Sequence, residues 1–120
     1  MRMADRRVGD RRAERRVPVS RRATLKYESQ QFPCLIHDMS THGFFIICNK
    51  PFLPRQVLQL RCELYDTQYL ECSIEVKHVD DSGMGTMIVD INEKAKSLCL
   101  RFLQEHYADK LHSLDIRSTR

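Results

Sequence analysis

The chain has 120 residues, 42% of them apolar and 30% charged, with 4 Gly, 4 Pro and a formal net charge of +4. A chain of this length makes one domain and buries roughly 65% of the surface it exposes when unfolded, so a single core forms without staples, and this composition excludes collagen-like, low-complexity and wholly disordered architectures. The longest apolar run, Phe44 to Cys48, falls far short of a bilayer span, and no apolar segment follows the start Met1-Arg2-Met3, so neither membrane insertion nor a secretory signal is expected.

Residues 1–16 are polar and predict a flexible, Arg-rich arm. From Val17 the pattern changes to short alternating runs. Ala23, Leu25 and Tyr27 alternate with polar neighbours and predict a half-buried strand, followed by a second over Phe32 to Asp38. Gly43 to Cys48 predicts a third strand, apolar enough to be buried on much of both faces. Pro51 and Pro54 bracket a loop. Leu58, Leu60, Cys62 and Leu64 predict a fourth strand, and Leu70, Cys72, Ile74 and Val76 a fifth. Asp80-Asp81-Ser82-Gly83 is turn chemistry, and Gly85 to Ile91 predicts the sixth strand. Asn92 is a helix cap, and Ala95, Leu98, Cys99, Phe102, His106 and Leu111 follow near-helical spacing, so a helix is expected from about Glu93 to Leu111. No connection between the strands has room for a crossover helix, so the sheet is expected to be antiparallel. The prediction is mainly β: an antiparallel six-stranded barrel with its C-terminal helix over residues 17–112, followed by a frayed tail over 113–120.

The charge is unevenly placed. Residues 1–22 hold nine Arg against Asp5, Asp10 and Glu14, a net +6; residues 23–120 hold 11 basic and 13 acidic residues, a net −2. Every cation of the arm is Arg, whose planar fork matches phosphates and guanine edges bidentately. The five cysteines, 34, 48, 62, 72 and 99, are odd in number, form no C-x-x-C and fall mostly in apolar runs, which predicts reduced thiols in a cytoplasmic protein.

Two elements carry the candidate chemistry. Arg12 and Arg16 stand at Arg-x-x-x-Arg spacing directly before Val17-Pro18-Val19, and Asp38-Met39-Ser40-Thr41-His42-Gly43 lies between two predicted strands. A carboxylate beside several Arg can accept the N1–H and N2–H edge of a guanine while the forks take phosphates and the N7/O6 edge. Glycine permits a positive φ or a close ligand approach. Each element alone is common in basic tails and loops.

In this order, followed by this strand pattern, the two elements resemble those of the PilZ domain, in which an Arg-x-x-x-Arg arm precedes a six-stranded barrel carrying an Asp/Asn-x-Ser-x-x-Gly motif. The resemblance covers roughly residues 11–107, with Gly83-Met84-Gly85 a departed version of the family's Gly-rich final strand start. It implies a bacterial receptor that binds the second messenger cyclic di-GMP. By that likeness Arg12 and Arg16 would contact guanine and phosphate, Asp38 and Ser40 would hold a guanine edge, and Gly43 would let the backbone come close. An Arg at the place of Arg11 goes, in the family, with a stacked, intercalated ligand dimer. Arg15 is read as solvated. Closure of the arm would re-aim residues 17–22 and report ligand to a separate protein partner in a motility or biofilm pathway. No further cofactor and no metal is implied.

Other readings of these residues are weaker. Asp38, Ser40 and His42 crowd one turn, where a Ser–His–Asp relay is hard to build, and no enzyme signature appears, so the chain is expected not to be an enzyme. His37 and His42 lack the spacing of a metal site, and His78 with Asp80 and Asp81 reads as a solvated turn. Two rivals remain. One is a nucleic-acid-binding barrel with a basic arm, disfavoured by the absence of Trp and the acidic body. The other is an adaptor of the same fold that binds no ligand, disfavoured by the intact motif residues.

Overall fold

The computed structural model describes residues 16–118, with side chains through His106. Six strands, β1 (Val17–Tyr27), β2 (Gln30–Met39), β3 (Gly43–Cys48), β4 (Val57–Tyr65), β5 (Gln68–Asp80) and β6 (Gly83–Ile91), precede one helix, α1 (Glu93–Ser118). The strands close into a barrel in the order β1-β2-β3-β6-β5-β4, every pair antiparallel. Closure rests on the short β1–β4 ladder at Thr24↔Arg61, Leu25↔Leu60 and Lys26↔Gln59. It removes the two edges that an open sheet of this size would expose.

The alternating apolar residues point inward. Leu25, Ile36, Phe44, Ile46, Leu58, Leu60, Ile74 and Val76 are all buried. β3 departs from the expectation of burial on both faces: Phe44 and Ile46 are buried, but Phe45 is half-buried and Ile47 is 39% exposed. The barrel covers only one side of β3, and among the described residues no second layer packs outside it.

Each end of the barrel is plugged. At one end Phe52, from the proline-bracketed loop, stacks edge-on with Tyr27 at 5.8 Å and Phe32 at 5.4 Å. Gln56 Nε2 donates to Tyr27 Oη at 3.0 Å. At the other end α1 lies mainly against β5 and also meets β1 and β4. It buries Ala95, Cys99, Phe102 and Leu103. Phe102 meets Tyr65 edge-on at 5.9 Å and sits under the Arg21 guanidinium, whose Nη2 donates to Leu64 O at 3.3 Å. Arg21, basic like the arm, thus serves as a joint between barrel and helix. Asn92 Oδ1 accepts from Ala95 N at 2.8 Å, the cap expected from sequence. The helix runs past the expected end at Leu111, and residues 113–118, expected as frayed tail, are helical. Neither Gly nor Pro stands beyond Asn92 to stop it.

Hairpin β1–β2 turns on Glu28 and Ser29, both with positive φ (51° and 70°), a two-residue turn that the Glu-Ser pair does not announce. Irregularities interrupt β1 between Pro18 and Arg21, β2 between Ile36 and Asp38, and β5 between Val76 and His78. Among the described residues no helix is long and apolar enough to cross a membrane.

Candidate functional site

The motif turn lies where β2 ends and β3 begins, beside the start of β1: Val17 pairs with Met39 and Pro18 with Asp38. Antiparallel pairing therefore brings the residue preceding β1 to the carboxylate near the end of β2. Arg16 Nη1 donates to Asp38 Oδ1 at 3.1 Å, which joins the second Arg of the first motif to the Asp of the second. The pair is open to solvent, with the Arg16 side chain 46% and the Asp38 side chain 21% exposed. An ion pair so exposed contributes about 0–1 kcal/mol to folding, so its geometry is easily given up to another partner. Arg11 and Arg12 lie outside the described residues.

The bulge in β2 sets where Asp38 points. Ile36 and Met39 are both fully buried. Strict alternation from Ile36 would turn the Asp38 carboxylate into the core, at prohibitive cost. The extra residue puts His37 and Asp38 side by side on the outer face instead. His37 Nδ1 stands 3.4 Å from Asp38 Oδ2, and its ring meets Phe45 edge-on at 6.1 Å. His37, Asp38, Phe45, Ile47 and Ser82 line a shallow outer groove of about 380 Å³.

Ser40 and Gly43 are built into the turn itself. Ser40 is fully buried. Its Oγ accepts from His42 N at 3.1 Å and Gly43 N at 3.2 Å and donates to Gly43 O at 3.4 Å, while Ser40 N donates to Gly43 O at 2.9 Å. Gly43 is not among the positive-φ residues. Its missing Cβ is explained by β6: a carbon there would lie 2.0 Å from Thr86 O. A neighbouring strand thus already approaches closely at Gly43. Thr86 Oγ1 donates across the same pairing to Phe44 O at 2.9 Å, and Ile88 N donates to His42 O at 2.7 Å, so β6 holds the turn down.

The site therefore presents an outward carboxylate, a guanidinium from the strand entry and an apolar-sided groove, on a turn locked from below. Such a surface can accept paired N–H donors at the carboxylate and offer guanidinium donors to anionic oxygens. Residues that the motifs did not single out are His37 and Phe45. The signal for His37 was the Ile36-His37-Asp38-Met39 run, in which two polar residues separate two core residues. Among the described residues, no group of three or more His, Cys, Asp or Glu is arranged to hold a metal ion.

The model of the PilZ domain matches residues 10–105 of the chain. Among solved structures, the chain resembles the Bacillus subtilis inhibitor of motility MotI/DgrA, with a TM-score of 0.71 and 14% identity, over 81% of this chain and 51% of that one. It also resembles the PilZ domain of CeSA from a cellulose-synthesizing bacterium, with a TM-score of 0.59 and 10% identity, over 80% of this chain and 98% of that one. At these identities the likeness is one of fold, and the chain spans about half the length of the MotI/DgrA structure. Comparison with curated proteins returns no match.

Proposed function

The chain belongs to the PilZ domain family, and on that premise we propose that it binds cyclic di-GMP reversibly and reports the bound state to a protein partner in the bacterial cytoplasm. The observation that carries this reading is the Arg16–Asp38 pair, which joins the second Arg of the first motif to the Asp of the second across 22 positions. Asp38 takes the donor edge of a guanine. Arg16, with Arg12 and Arg11 on the arm, takes phosphate oxygens and the guanine N7/O6 edge. Arg11 favours a stacked pair of ligands. Ser40 and Gly43 act as positioning residues, because the buried hydroxyl and the close β3–β6 contact hold the turn from which Asp38 projects.

Holding the Arg side chains on the ligand has an ordering cost, and several charge-assisted hydrogen bonds offset it. Closure of the arm moves the start of β1, where Ser20 already has a positive φ of 48° beside the bulge. The partner reads that surface. The chemistry is recognition and needs no reacting group at the rim.

The test is calorimetric titration of cyclic di-GMP into the wild type and Arg16→Ala at moderate salt. The wild type is expected to bind at micromolar concentration or below, and the substitution to weaken binding about 10- to 100-fold, the worth of hydrogen bonds to a charged group. The stoichiometry reads the role given to Arg11. No heat with the wild type overturns the receptor reading in favour of an adaptor that works without ligand.

A further inference from the structure

Two glycines at the start of β6 each make room for a ring. A carbon added at Gly85 would lie 2.3 Å from Cε1 and 2.7 Å from Nε2 of His78, so the imidazole occupies the place where a side chain would stand. A carbon added at Gly83 would lie 2.7 Å from Cε2 of Phe45 and 2.7 Å from Ile46 O, and Gly83 has a φ of +152° that other residues rarely adopt. His78 and Phe45 thus lie over the bare backbone of Gly83-Met84-Gly85.

The register aligns these rings with the rim. Asp38 pairs with Phe45, Phe45 with Gly85, and Gly85 with His78, so the four form one row across β2, β3, β6 and β5. Directly paired residues project to the same face of a sheet. The row covers three strand spacings, roughly 14 Å from the backbone of Asp38 to that of His78. The irregularities next to Asp38 and His78 place both at the outer surface, where His78 is exposed and Phe45 half-buried. Beyond the row, Asp80 Oδ1 accepts from Ser82 N at 2.8 Å, Ser82 Oγ at 2.7 Å and Gly83 N at 3.2 Å. The Ser82 hydroxyl and amide, more than Gly83 N and the nearby His78, hold that carboxyl below its ordinary value, so this end of the row is anionic. A phosphate is repelled there, and an uncharged flat group is accepted.

The geometry points to a base-stacking platform: Phe45 and His78 seat the second purine base of the dinucleotide whose first base is held at Asp38. This inference rests on the receptor reading above and extends it to a part of the surface outside both motifs. Bases stack on aromatic rings without regard to their hydrogen-bonding edges, so the platform adds affinity while Asp38 and Arg16 supply selectivity.

The experiment titrates cyclic di-GMP into the wild type, His78→Ala and His78→Phe by calorimetry, and follows the ring resonances of His78 and Phe45 in the wild type by NMR. Upfield ring-current shifts of both rings on binding, about a tenfold weakening in His78→Ala and recovery in His78→Phe are expected. Wild-type binding with both rings unshifted overturns the platform and leaves the receptor reading intact. Equal affinity of wild type and His78→Ala does the same. Absence of wild-type binding overturns both. The NMR arm reads the wild type alone, so it decides the matter even if His78→Ala fails to fold.

Discussion

Gly43 and Asp38 stand five positions apart in one motif and do opposite kinds of work. Gly43 is buried, with Thr86 O where its side chain would be. Asp38 faces solvent and makes an exposed ion pair. Gly43→Ala must push β3 from β6, an overpacking cost of about 1–3 kcal/mol or more. Asp38→Ala forgoes about 0–1 kcal/mol. Thermal unfolding is expected to show the glycine variant clearly destabilised, with a melting temperature lower by roughly 10 °C, and the aspartate variant close to wild type. A Gly43→Ala protein as stable as wild type would show that the two strands can part without cost. Both substitutions are expected to impair ligand binding, the first by disturbing the turn and the second by removing the acceptor.

Among the elements, α1 is the one whose attachment is most concentrated. Its start is held by the Asn92 cap, and its middle by Phe102 against Tyr65 and Arg21. Tyr65 Oη donates to Glu105 Oε1 at 2.5 Å, and the Arg101 guanidinium lies 4.4 Å above the Tyr65 ring while its Nη2 donates to Gln68 Oε1 at 2.9 Å. Asn92→Ala is expected to cost about 1 kcal/mol, read as a shifted midpoint with an unchanged slope in denaturant. A changed slope would mean that the helix leaves the barrel as a separate unit. The six strands and this cap were legible because alternation and capping are local properties. The bulges were not, because an inserted residue shows only against its partner strand. The Glu28-Ser29 turn was hidden because its residues are ordinary and its positive φ values are imposed by the paired strands.

For the molecule as a whole, the cysteines report how closed the barrel is. All five are free, and four are buried: Cys34, Cys62, Cys72 and Cys99. Burial pushes Cys34 and Cys72 up to about 12 and Cys62 and Cys99 up to about 11. In the unfolded chain a thiol titrates near about 8.5. The folded values are raised, so the stability linked to these thiols is complete below about pH 8.5 and is lost as pH rises towards 11 and 12. At pH 8 a thiol reagent is expected to find Cys48 at most in the native protein and all five thiols in guanidinium. Rapid reaction of several native thiols would mean that the barrel opens readily. The closed interior contrasts with the exposed rim, and the receptor role proposed above calls for such a surface on a packed scaffold.

The mainly β architecture, the strand positions and the spacing of the two motifs could all be read from residue order, because each depends on neighbours along the chain. Where Arg16, Asp38 and Gly43 stand, and what they touch, was decided in three dimensions. Arg16 meets Asp38 because β1 and β2 pair antiparallel, and Asp38 faces out because β2 carries an extra residue. Gly43 answers to Thr86, and Gly83 and Gly85 answer to Phe45 and His78, residues that only barrel closure and register bring near. Alternation says that a residue lies in a strand; which atoms it meets depends on where the next strand stops, and that is set by packing across the whole barrel.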